Sequence, residues 1–126
     1  MAKRRLSLIL HSADYGRIHY GFVMAAAATA TDRPVTLFFT MGAIHALTPG
    51  WGRANDSANA EKGIATLAEM IAACAEFEAD FQICDAGLKS EGLMMDDLRP
   101  DIAATPGGMV SFLAEAERDN AQIVFI

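Results

Sequence analysis

The chain reads as an α/β protein: a three-layer α/β/α arrangement around a mostly parallel five-stranded sheet. Two observations predict it. Five short apolar runs of strand length are spaced along the sequence, and the segments between them carry helical periodicity or an irregular stretch long enough for a crossover. A right-handed crossover rule then puts helices on both faces of the sheet. The expected strand order is flavodoxin-like, with the first strand between the second and the third. No internal repeat or composition break divides the 126 residues, so residues 1–126 are expected to form a single domain.

The first run, Arg5 to His11, is apolar almost throughout and suits a strand buried on both faces. Ser12 to Gly16 supplies the small polar residues of a strand-to-helix turn with a capping side chain. From Arg17 to Thr31 the chain is alanine-rich, with Ile18, Phe22, Ala25, Ala26 and Thr29 on one helical face. Asp32 to Pro34 ends that helix. Val35 to Thr40 is the second strand, β-branched or aromatic at most positions. Met41 to Lys62 shows no clear period, apart from a short helical turn over Ala43 to Leu47. A loop of that length is usually functional or an interface, and it holds Trp51, the single tryptophan.

Glu61 to Glu76 resumes a helical pattern, with Ile64, Leu67, Ala68, Ile71, Cys74 and Ala75 as its stripe. Asp80 to Cys84 alternates polar and apolar residues as a third strand, and a helix is expected to start just beyond Cys84. Leu88 to Met95 reads as a short helix and a turn around Gly92. Asp101 to Thr105 is expected as a brief fourth strand. Thr105 to Gly108 then offers an N-cap and a proline at the first helical position. Met109, Val110, Leu113 and Ala116 carry the last helix to about Asp119-Asn120, and Gln122 to Ile126 is expected as a final buried strand.

Composition narrows the function. Hydrophobic residues make up 52% and charged residues 21%, which is a globular balance. A formal charge of -6 argues against nonspecific binding to nucleic acid or to anionic membranes. The apolar run behind Lys3, Arg4 and Arg5 is too short for a secretory signal, and no stretch reaches a membrane-spanning length. Two cysteines without an export signal point to reduced thiols and a cytoplasmic location.

Cys84 is the residue on which chemistry is expected. A thiol between a strand and a helix faces the first free N–H groups of that helix, and ligands of open α/β sheets sit at the carboxyl ends of strands. The plainer alternative is a small hydrophobe closing a core strand, and Asp85 beside it works against a thiolate. Cys74 falls on a helical stripe and reads as core. The pair forms no CxxC.

His11 ends the first strand. If the first and third strands are neighbours, His11 reaches Cys84 and serves as its base or cationic partner. Otherwise it hydrogen-bonds the following turn. His45, Ser12, Asp14 and Gly42 gather at the same sheet edge as candidate ligand-binding residues, with turn formation as the default for Ser12, Asp14 and Gly42. A Cys84–His11–His45 metal site has no short ligand spacing behind it, and neither GxxxxGK[ST] nor GxGxxG is present, so no cofactor is expected.

Three stretches also resemble a known family. Leu8 to Tyr15 (LILHSADY), the alanine-rich helix and Val35 to Gly42 (VTLFFTMG) are similar to the opening of DsrE/DsrF-like proteins. Cys84 to Gly92 (CDAGLKSEG) resembles that family's cysteine followed by a short helix, and the helix from Gly107 to Glu117 with its following strand resembles the C-terminal part. The resemblance implies a small sulfur-trafficking protein, commonly a homo-oligomer such as a trimer or hexamer. By position, Cys84 would carry a persulfide between a sulfur donor and an acceptor protein, a sulfurtransferase-like role. The competing reading is a noncatalytic scaffold or small-ligand-binding protein of the same fold, with Trp51, Met94 and Met95 at an interface.

Overall fold

The computed structural model describes residues 3–126. The chain runs β1 (Leu6–Leu10), α1 (Tyr15–Ala30), β2 (Val35–Phe39), a 3₁₀ helix (Met41–Leu47), α2 (Arg53–Glu61), α3 (Leu67–Glu76), β3 (Asp80–Cys84), α4 (Asp85–Glu91), a 3₁₀ turn (Met95–Asp97), β4 (Ala104–Gly107), α5 (Met109–Arg118) and β5 (Gln122–Phe125). All five strands are parallel, in one sheet of order β4-β3-β2-β1-β5.

The sheet class is as expected; the strand order is not flavodoxin-like. β2 takes the centre and lies between β1 and β3, so β1 instead pairs with β2 and β5. The reason is the direction of winding. Each step from β1 to β4 moves the chain the same way across the sheet, and right-handed crossovers then put their helices on one face. Ile18, Phe22 and Ala25 of α1, Leu67, Ile71 and Cys74 of α3 and Leu88 of α4 accordingly share one core cluster with Leu8, Leu37, Phe39 and Phe81. Only the return from β4 to β5 runs the other way, and it places α5 alone on the opposite face. There Phe112 packs on Ile9 and Phe38, with the Phe38 and Phe112 rings 5.0 Å apart. Periodicity records which residues are buried but not which strand is next, so two equally apolar runs such as β1 and β2 leave the order open.

Three element boundaries also differ from expectation. The stretch Met41 to Lys62 is mostly helical; α2 buries no residue, so no apolar period marks it, and Asp56 ties it to the start of α3. The helix expected from Glu61 begins at Leu67, since Gly63 takes φ +74° and Thr66 caps a fresh start, accepting from the Glu69 N–H. Thr105 and Pro106 belong to β4, and Gly108 is the N-cap of α5. A proline fits there because β4 is an edge strand and its N–H is not needed by a neighbour. The apolar run Gln122 to Ile126 predicts a buried last strand. β5 is instead the other edge, with Ile123 and Phe125 exposed on the face that α5 only partly covers. Among the described residues no helix is long and apolar enough to cross a membrane.

Candidate functional site

β3 sorts its side chains by alternation. Phe81 and Ile83 enter the large cluster, whereas Gln82 and Cys84 turn toward α5, where Cys84 packs against the Ile9–Phe38–Phe112 group. Gln82 links the strand to α5 by donating to Glu115 Oε2 at 2.9 Å, and its amide also donates to Asp80 Oδ2 at 2.8 Å. One turn further on, Cys84 stops the strand and becomes the N-cap of α4, with φ −70° and ψ 120°. Its Sγ accepts the Gly87 N–H at 3.4 Å. The side chain is half-buried, whereas Cys74 is fully buried and its thiol is pushed up to about 11 by desolvation.

The helix after Cys84 lies where it does because position 87 carries no side chain. A Cβ there would come within 2.7 Å of the Met41 N and 2.9 Å of Ile44 Cδ1. Met41 itself holds φ +50°, a left-handed conformation at the turn out of β2. Residue type alone gives no warning of this, so the Thr40–Met41 turn and Gly87 are the parts of the site that the sequence leaves unmarked.

His11 and Cys84 do not end neighbouring strands. The registers Leu10↔Phe39 and Phe39↔Ile83 set His11, Thr40 and Cys84 at the ends of three successive strands, with β2 in the middle. Two strand spacings, about 9–10 Å of backbone, separate the outer pair. His11 is exposed, its ring lies 5.9 Å from that of Phe125, and its carbonyl accepts the Ala43 N–H at 3.1 Å. The expected pairing with Cys84 through adjacent strands is therefore corrected: both residues occupy one sheet edge, and β2 lies between them.

The other candidates are engaged locally. Ser12 Oγ accepts from the Asp14 N–H and Asp14 Oδ2 from the Arg17 N–H, each at 3.0 Å, so the two build the turn and the cap of α1. Gly42 lets the 3₁₀ helix rest on that turn; a Cβ there would lie 3.1 Å from Ala13 Cβ. His45 Nε2 meets Glu91 Oε1 at 3.0 Å and ties the 3₁₀ helix to α4. No group of three metal-ligating side chains forms among the described residues. A cavity of about 520 Å³ opens elsewhere, between Trp51, Arg53, Leu67, Ile71 and Arg99, and neither Cys84 nor His11 lines it.

What the edge can do chemically is limited and specific. It offers one half-open sulfur, one backbone donor aimed at it and an apolar wall.

The sequence pattern of the DsrE/DsrF-like family matches residues 5–125. No curated protein matches the chain. Among solved structures, it is similar to the ychN protein from E. coli, with a TM-score of 0.72 at 14% identity over 98% of this chain and 100% of that one. It is similar to the protein of unknown function MTH1491 from Methanobacterium thermoautotrophicum as well, with a TM-score of 0.69 at 11% identity and the same coverage.

Proposed function

Because the chain belongs to the DsrE/DsrF-like family, we propose that it is a sulfur carrier that holds sulfane sulfur on Cys84 in a sulfurtransferase-like relay. The observation that supports this reading most is the half-open Cys84 Sγ at the carboxyl end of β3, accepting the Gly87 N–H. In the loading step, the Cys84 thiolate attacks the outer sulfur of a donor persulfide. The Sγ–S bond forms, the donor S–S bond breaks, and the donor leaves as a thiolate. In the unloading step an acceptor thiolate takes the terminal sulfur and Cys84 leaves as thiolate. Neither step changes the net oxidation state, so no cofactor is required. His11 is near enough along the sheet edge to meet a donor or acceptor chain docked there, as a proton partner to the departing thiolate.

Incubation with a persulfide donor and intact-mass measurement is expected to show a gain of about 32 Da, one sulfur atom, on the wild type and none on Cys84→Ser. A gain that survives Cys84→Ser, or no gain in the wild type, rejects the carrier role.

A second reading is a noncatalytic scaffold that works as a homo-oligomer, a trimer or hexamer. Its support is the apolar surface on the α5 side: Val110 is 85% exposed, Phe125 66%, and Met109, Leu113 and Ile123 are open too. Patches of this kind on one face mark interaction surfaces. The two readings differ at Cys84, which borders the same face: the carrier needs a reactive thiol there and the scaffold does not.

A further inference from the structure

The cavity that the cysteine does not line has its own chemistry. Leu67 and Ile71 are buried and form its apolar floor. Trp51 forms a half-buried wall, held by stacking on Tyr15 with ring centroids 6.0 Å apart. At about 520 Å³ the space lies in the range that takes a small organic molecule.

Its charges are unequally used. Asp56 spends Oδ1 on the Leu67 N–H and the Tyr15 hydroxyl, and Oδ2 on the Ala68 N–H, so its carboxylate is turned to the start of α3. Both oxygens of Asp101 are held by Arg99, at 3.0 and 2.7 Å. Arg53 is different. No carboxylate lies within ion-pair distance of it among the described residues. It opens α2, whose N-cap Gly52 brings no side-chain acceptor. The mouth of an apolar cavity thus presents one cation outside any ion pair among the described residues, while the oxygens of Asp56 and Asp101 already accept hydrogen bonds.

We propose that this cavity binds a small amphipathic anion: an aromatic or branched apolar body seated on Trp51, Leu67 and Ile71, with one carboxylate or sulfonate at Arg53. The site is independent of Cys84 and of the sulfur-carrier reading. Trp51 is the chain's single tryptophan, so it reports occupancy directly. Titration of the full chain with anilinonaphthalene sulfonate, an aromatic monoanion, is expected to quench Trp51 emission to a plateau at one probe per chain. Arg53→Ala should weaken that probe roughly tenfold, the loss of one charge-assisted contact, and leave neutral N-phenylnaphthylamine unchanged. Ala68→Phe, a change at an exposed position on the rim, should abolish binding of both. Cys84→Ser should bind like the wild type. Absence of a saturable Trp51 signal, equal affinity in Ala68→Phe, or an Arg53→Ala effect that is the same for the charged and the neutral probe would each overturn the proposal. So would an Ala68→Phe variant that changes oligomeric mass while the wild type ignores the probe, because the cavity would then be covered by a second copy.

Discussion

Asp56 accepts three hydrogen bonds through one side chain. Its two oxygens accept the Leu67 and Ala68 N–H groups, which would otherwise be unpaired at the start of α3, and the Tyr15 hydroxyl, which also accepts from Asn59 Nδ2. Asp56→Ala should cost about 1–3 kcal/mol in urea unfolding, since it strands two backbone donors, whereas Tyr15→Phe removes one hydroxyl and should cost less. Burial first, and then the hydrogen bond and charge of Asp56, push the Tyr15 hydroxyl from 10.0 up to about 12. A group raised in the folded state adds its stability in full below pH 10 and loses it as pH climbs toward 12. Stability should therefore fall through that window, and Tyr15→Phe should flatten the fall. The two cysteines make a simpler contrast. Iodoacetamide at neutral pH should modify the half-open Cys84 in the native protein and reach the buried Cys74 only after unfolding, as peptide mapping would show.

Elements show where sequence reading succeeds and where it stops. β1, α1, β2, α3, β3 and α5 are legible because each has a one-sided or fully apolar pattern that a single period describes. So is the junction after Cys84. α2 is not, because Arg53–Glu61 buries nothing and owes its place to one carboxylate reaching another helix. The seat of α4 is illegible for a related reason: it depends on how closely two backbones approach. Gly87→Ala would set a Cβ 2.7 Å from the Met41 N, and backbone cannot yield as a flexible side chain does. We expect a loss of about 1–3 kcal/mol in chemical denaturation, the usual cost of overpacking. Gly107→Ala meets nothing within 4 Å and should stay close to wild type. Ser12, Asp14 and His45 were candidates by location alone. They follow β1 and β2 at the carboxyl ends of the strands, and local hydrogen bonds decide what each atom is free to do.

At the scale of the whole molecule, one asymmetry dominates: among the described residues several helices pack on one face of the sheet and α5 alone on the other. If copies associate through that thinner face, Val110→Glu with Leu113→Glu should lower the sedimentation mass without lowering the unfolding midpoint by more than about 1 kcal/mol equivalent, since both side chains are exposed in the single chain. An unchanged mass would rule out this face as an assembly surface. The sequence could not reveal this asymmetry, because it follows from strand order, and strand order follows from pairing choices that no residue pattern records. The same order carries a kinetic consequence. β1 pairs on one side with its near neighbour β2 and on the other with β5, at register Leu6↔Gln122. During synthesis the first strand would leave the ribosome with one edge vacant until residues 122–125 arrive, and closing so long a chain segment is slow. Amide protons along the β1–β5 seam should thus be the last in the sheet to gain protection in pulse-labelled refolding.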